Sequence, residues 1–154
     1  MNKRRMTRHD SRILALRALF CWEVGNIDPK ESFDYLAGEA GQEYILEPRN
    51  LEYAREITQV AIENVGQIDQ VINEVSVGWP VSRMPKVDLS IIRLAYAEAA
   101  YVKGAPIEVV LDEAIELAKE FGTHASPKFV NGLLMGIFRK LGWSKIVKNG
   151  TIRE

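Results

Sequence analysis

The sequence holds a single cysteine, Cys21, and only two histidines, His9 and His124. One cysteine excludes an intramolecular disulfide and a thiolate zinc cluster, and two histidines leave little for any metal site. No apolar run approaches the ~18 residues of a membrane span. The basic start is not followed by a signal-cleavage pattern, so the reading is a soluble, cytoplasmic protein. Closely spaced glycines of the kind that cradle phosphate are missing. Strand-like alternation, internal repeats and low-complexity tracts are missing too.

Catalytic constellations are equally scarce. Cys21 lies in the most apolar helical stretch, which marks a buried structural thiol rather than a reactive one. His124 falls between two helices, where a solvent-exposed loop histidine is expected. Glu113 and Glu116 read as a solvated helix face rather than an acid/base pair. The residues therefore predict no catalytic site, no metal and no cofactor.

What is present is ordinary for a globular chain. Hydrophobic residues make up 47% and charged residues 27% of 154 positions. That length suits one domain, or two small subdomains sharing a core. The net charge of −1 conceals a gradient: residues 1–17 carry +5, residues 128–154 carry +5, and the stretch between carries −11. Basic ends flanking an acidic middle suggest a polyanion at the ends and a basic protein at the middle. The plain alternative is a solubilising surface with an idle basic tail.

Punctuation by proline, glycine and capping residues predicts about seven helices. The first covers Thr7 to Val24 and stops at Gly25; its run Ile13–Trp22 is apolar nearly all round, the mark of a central helix. Asp28-Pro29 opens a second, ended by Gly38 and Gly41. Pro48 opens a third, and Ile68, Val71, Ile72 and Val75 mark a fourth. Asp88 is expected to cap a fifth, Pro106 opens a sixth, and Ser126-Pro127 opens a seventh that stops at Gly142. Gly132 and Gly136 argue for close approach of another helix. Residues 143–154 read as a loosely held basic tail.

Two groups of residues suit nucleic acid. Arg5, Arg8 and Arg12 recur at spacings of three and four, so a helix reaching that far puts them on one face, with Lys3 and Arg4 just before it. Arginine forks match phosphates and stack on bases, and such an arm can stay disordered until RNA orders it. Lys128-Phe129, at the start of the last helix, is placed to hold a phosphate and stack a base. Against this, Phe129 can equally be a core ring and Lys128 a surface charge.

Four blocks, spanning nearly the whole chain in order, carry a resemblance. They are the arginine-rich start running into Ala18-Leu19-Phe20-Cys21-Trp22; Trp79, Arg83, Val87-Asp88 and Ile92-Arg93-Leu94-Ala95 with Glu98; Pro106 to Lys119 with Leu111-Asp112-Glu113-Ala114; and Ser126 with Lys128-Phe129-Val130-Asn131-Gly132. The sequence resembles the bacterial NusB family of transcription antitermination factors. That resemblance implies an all-α, NusB-like helical bundle in two small subdomains, a single RNA-binding domain over 1–154 with a basic arm at 1–12, and no enzymatic activity. It implies binding to the single-stranded boxA element of nascent ribosomal RNA together with NusE, a small-subunit ribosomal protein, within the RNA polymerase antitermination complex. RNA contacts are then expected from Arg4, Arg5, Arg8, Arg12, Lys128 and Phe129, and a NusE contact from Asp88.

The sequence also departs from the family. His9 and Asp10 stand where further arginines are common, Phe20 replaces a tyrosine, Ala125 replaces an acid, and Leu111-Asp112 replaces Ile-Asn. Two other functions remain open on the sequence: an RNA-recruiting module related to ribosomal RNA methyltransferases, and a purely protein–protein adaptor.

Overall fold

Local chemistry sets the helix ends. Thr7 and Asp10 form a reciprocal capping box: the Asp10 amide donates to the Thr7 hydroxyl, and the Thr7 amide donates to the Asp10 carboxylate at 2.7 Å. This starts α1, Arg8–Gly25, one residue after the expected position. Asn26, in the left-handed region at φ 52°, closes it rather than Gly25. Asp28 accepts from the Lys30 amide and Pro29 takes the first helical position of α2, Pro29–Glu43. This helix runs through Gly38 and Gly41, which were expected to end it. Neither glycine adopts a positive φ, and without that turn a glycine only weakens a helix.

The computed structural model describes residues 2–143, and the backbone of 146–148 and 151–153. After α2 come α3 (Pro48–Glu63), α4 (Val65–Val75), a 3-10 turn over Val81–Arg83, α5 (Lys86–Ala97), α6 (Ile107–Phe121) and α7 (Ser126–Leu141). Asp88 does not cap α5. Pro85 holds the cap position, and Asp88 lies inside the first turn, where its charge suits the helix dipole. Past Ala97 the chain widens into a π turn, Glu98–Val102, closed by Lys103 in the left-handed region. Ser126 does not cap α7 either: its hydroxyl accepts from the Thr123 amide at 2.9 Å and closes the preceding turn. Residues 146–148 pair antiparallel with 151–153 as a short hairpin. The expected loosely held tail at 143–154 falls partly on residues outside those described.

Helices α1–α3 pack on one another, α4–α7 do likewise, and contacts of α1 and α3 with α5 join the two groups. Among the described residues the fold is therefore an all-α bundle of seven helices in two small subdomains with one shared core. Leu19, Ile57, Ile68, Leu89, Ile92, Leu134 and Phe138 are fully buried in it. Of the two glycines on α7, only Gly136 is in close contact: a Cβ there would lie 2.8 Å from Val75 Cγ1, whereas Gly132 faces open space. Among the described residues no helix is long and apolar enough to cross a membrane.

The central place of α1 sets a prediction. Leu19→Ala should cost about 2–5 kcal/mol in chemical denaturation, because a cavity forms where α1 meets its neighbours. Val77→Ala, at a side chain 88% exposed, should change stability by less than about 0.5 kcal/mol.

Candidate nucleic-acid interface

The arginine arm is tied down before the helix begins. The Ile45 amide donates to the Arg4 carbonyl and the Met6 amide to the Ile45 carbonyl, both at 2.8 Å, so the chain around Arg5 pairs with Ile45 as a parallel bridge. Met6 is buried, and Lys3 Nζ donates to the Gly41 carbonyl at 2.9 Å. The expectation of an arm free until RNA orders it is corrected for residues 3–6. Two backbone hydrogen bonds and a buried side chain already hold them.

The four arginines are not equivalent. Arg5 precedes α1, so it does not share a helical face with Arg8 and Arg12. Its side chain is 77% exposed, with Glu47 3.6 Å away. Arg4 is 60% exposed, lies over the Tyr44 ring, and grips the buried Asp10 carboxylate through two bonds of 2.6 and 2.9 Å. That guanidinium, aided by the Thr7 donors, holds the Asp10 carboxyl down to about 2. Asp10 thus contributes stability that is present above the ordinary value of 3.8 and is lost as pH falls through about 2.

Arg8 is half-buried. Its Nε donates to Asn50 Oδ1 at 3.0 Å, and its guanidinium carbon lies 3.7 Å from the centre of the Tyr53 ring. Arg12 turns inward instead. It is 4% exposed, and its Nε and Nη2 donate to the two oxygens of Glu98 at 2.9 and 2.6 Å. Tyr53 donates its hydroxyl to the same carboxylate at 2.5 Å. Burial, reinforced by that carboxylate, pushes the Tyr53 hydroxyl well above its usual value. The structure therefore sets Arg12 apart from an RNA-facing arm: its fork is committed to a buried carboxylate, and little of it reaches solvent.

His9, which stands where the family often has an arginine, does not join the outward-facing charges. It faces two glutamates of α6, with Nδ1 2.6 Å from Glu113 and Nε2 2.6 Å from Glu120. Arg12 Nη1 approaches the same Glu113 oxygen at 3.7 Å. Glu113 is therefore not part of a plain solvated face, although Glu116 is exposed beside Lys119. A neutral imidazole has one N–H and cannot donate to both carboxylates, so the geometry favours the imidazolium. Partial burial, the largest influence, lowers the His9 pKa, but the two carboxylates together outweigh it and raise it.

The second predicted element sits on α7. Lys128 is exposed and Phe129 is half-exposed, its inner side packed on the core. The core reading of Phe129 thus describes the inner side of the ring, and its outer edge stays accessible. Arg17 of α1 lies 5.8 Å from the ring of Phe121, which ends α6 and leads through residues 122–125 into this first turn. Asp88 is only 4% exposed, and its Oδ1 has no hydrogen-bond partner among the described residues. Its neighbour Val87 lines an apolar cleft of about 340 Å³ with Arg17, Phe20, Leu36 and Phe121. Cys21 is half-buried in that cleft's wall. Among the described residues no cluster of three histidine, cysteine or acidic side chains is arranged to hold a metal.

Asn50, Tyr53 and Glu98 were missed by sequence reasoning as partners of the arm. They lie 42 to 86 residues away in the chain, and no local pattern links them to it.

Comparison with known proteins places this arrangement. Residues 9–139 match the model of the NusB family. Transcription antitermination protein NusB of Carboxydothermus hydrogenoformans is 37% identical over 84% of this chain and 90% of its own. The protein of the same name from Treponema denticola is 38% identical over 86% and 96%. Among solved structures, T. maritima NusB is 34% identical with a TM-score of 0.79, covering 88% of this chain and 93% of that one. The NusB of a complex of antitermination factors NusB and NusE with double-stranded RNA is 26% identical, with a TM-score of 0.78 over 88% and 99%.

Two outcomes are expected from these contacts. Arg12→Ala should destabilise the protein by about 3–5 kcal/mol in denaturant titration, because Glu98 is left buried without its cation. In an NMR titration His9 should stay protonated above pH 6.5, and Glu120→Gln should bring its midpoint down. A raised value means that its stabilisation is full below pH 6.5 and is lost as pH rises through the folded-state value.

Proposed function

The chain belongs to the NusB family, and we propose that it is an RNA-binding transcription antitermination factor that binds single-stranded boxA RNA of nascent ribosomal transcripts together with NusE. In that role it helps RNA polymerase resist termination, and it works in the cytoplasm. The family is one of non-enzymatic antitermination factors. Residues 1–154 act as one RNA-binding unit.

One observation carries the reading. Arg4, Arg5 and Arg8 are presented on an ordered, anchored arm, which suits the family, since one of its solved complexes holds NusB and NusE with RNA. Arginines fixed in place lose little freedom when a phosphate arrives, so each contact keeps more of its gain. Lys128 and the open side of Phe129 extend the same function to α7, with the ring as a stacking surface for an unpaired base. Arg12 supports the arm from inside rather than touching RNA. The surface around Asp88, with the neighbouring cleft, is the place proposed for NusE.

The test is a titration of boxA RNA, with and without NusE, at several salt concentrations. Binding should tighten with NusE. If Arg5, Arg8 and Lys128 each meet one phosphate, the log–log salt slope should be about −2, from about −0.7 per phosphate of a single strand. Phe129→Ala should cost about 1–3 kcal/mol of RNA affinity. Equal affinity for boxA and an arbitrary oligonucleotide in the presence of NusE would overturn the reading.

A further inference from the structure

Arg8 differs from the other three arginines in what holds it. Its Nε is engaged by Asn50 and one face by Tyr53, whose hydroxyl lies near enough to feel the guanidinium, yet among the described residues its two terminal nitrogens have no carboxylate partner. An arginine fixed at Nε and stacked on a ring still presents a planar pair of donors in a set direction.

The two residues that hold it are themselves held. Asn50 Nδ2 donates to the Met6 carbonyl at 2.9 Å, and Ser11 Oγ donates to the Asn50 carbonyl at 2.8 Å. Asn50 therefore cannot turn without losing its tie to the arm. Tyr53 is pinned at its hydroxyl by Glu98 and at its edge by the chain after α5. A Cβ on Gly104 would lie 2.6 Å from Tyr53 Cε1 and 2.7 Å from its hydroxyl, so only glycine lets the backbone come so near. Asn50 and Tyr53 are three residues apart on α3 and share one helical face.

We infer that Asn50 and Tyr53 are positioning residues that aim the terminal nitrogens of Arg8 at a phosphate of the bound RNA. Glu98 acts one step further back, by fixing the Tyr53 ring. This rests on the RNA-binding reading above, and adds to it the claim that the aim of Arg8 is set by α3 rather than by the arm itself. Arg8 supplies the contact, and α3 supplies its direction before RNA arrives.

The experiment is a double-mutant cycle read in RNA affinity, using the full chain with NusE and boxA RNA. Asn50→Ala and Tyr53→Leu should each weaken binding about five- to tenfold in the wild-type background, since an arginine left to wander gives back part of its gain. In the Arg8→Ala background the same changes should cost nothing further, because there is no fork left to aim. Arg8→Lys keeps the charge but has neither the Nε donor nor the planar face, and should lose nearly as much as Arg8→Ala. A merely structural role would give the same loss with or without Arg8.

Should Tyr53→Leu fail to fold, the Asn50 and Arg8→Lys arms decide alone. Losses that persist in the Arg8→Ala background, or an Arg8→Lys protein that binds like wild type, overturn the inference and leave the RNA-binding function standing. A wild-type protein that ignores boxA RNA overturns both.

Discussion

Glu98 is a carboxylate in the interior of the protein, at the point where an α-helix widens into a π turn. It meets three donors there, two from the Arg12 fork and one from the Tyr53 hydroxyl. An ionised carboxylate without partners would be far too costly to bury, so these three bonds are a condition of the fold. They also join three separate helices. Arg12 belongs to α1, Tyr53 to α3, and Glu98 closes α5. The two subdomains share their core along these same helices, so the ion pair and the apolar packing fix one arrangement together.

The functional face grows outward from that centre. Arg12 holds Glu98, Glu98 holds Tyr53, and Tyr53 carries Arg8 on its ring. His9 ties the same end of α1 to α6 through Glu113 and Glu120, and Arg12 touches Glu113 as well. The charges at the start of the chain thus divide by depth. Arg12 and His9 turn inward to buried or half-buried acids, Arg4 reaches in from the surface to the buried Asp10, and Arg5 remains largely in water. The acidic middle of the sequence is in part the counter-charge for the basic start, which explains how so polarised a chain folds without self-repulsion.

Much of the architecture was legible in the residues. Proline at first helical positions, Asp28 before Pro29 and Gly142 at the end of α7 mark boundaries that the structure keeps. These signals are local, and local chemistry decides them. The failures share a cause as well. Gly38 and Gly41 lower helix propensity without forcing a turn, Ser126 spends its hydroxyl on the preceding turn, and Asp88 falls inside the first turn of α5 rather than before it. The role of each arginine was not legible, because helical spacing puts Arg8 and Arg12 on one face but cannot say that the acid waiting for Arg12 is 86 residues away. Residue type alone does not decide how deep Phe129 lies, and the structure packs one side of its ring on the core while the rest stays accessible.

The parallel bridge at Ile45 has an effect on how the amino-terminal segment can vary. In extended chain, neighbouring side chains alternate from one side to the other. Arg5 accordingly points to water and Met6 into the core. Adding or removing one residue between this bridge and Thr7 would invert that alternation and drive a guanidinium toward the apolar pocket that methionine fills. The spacing from the bridge to the start of α1 is therefore a counted length, and drift by insertion or deletion is barred there even though the individual basic residues could be exchanged.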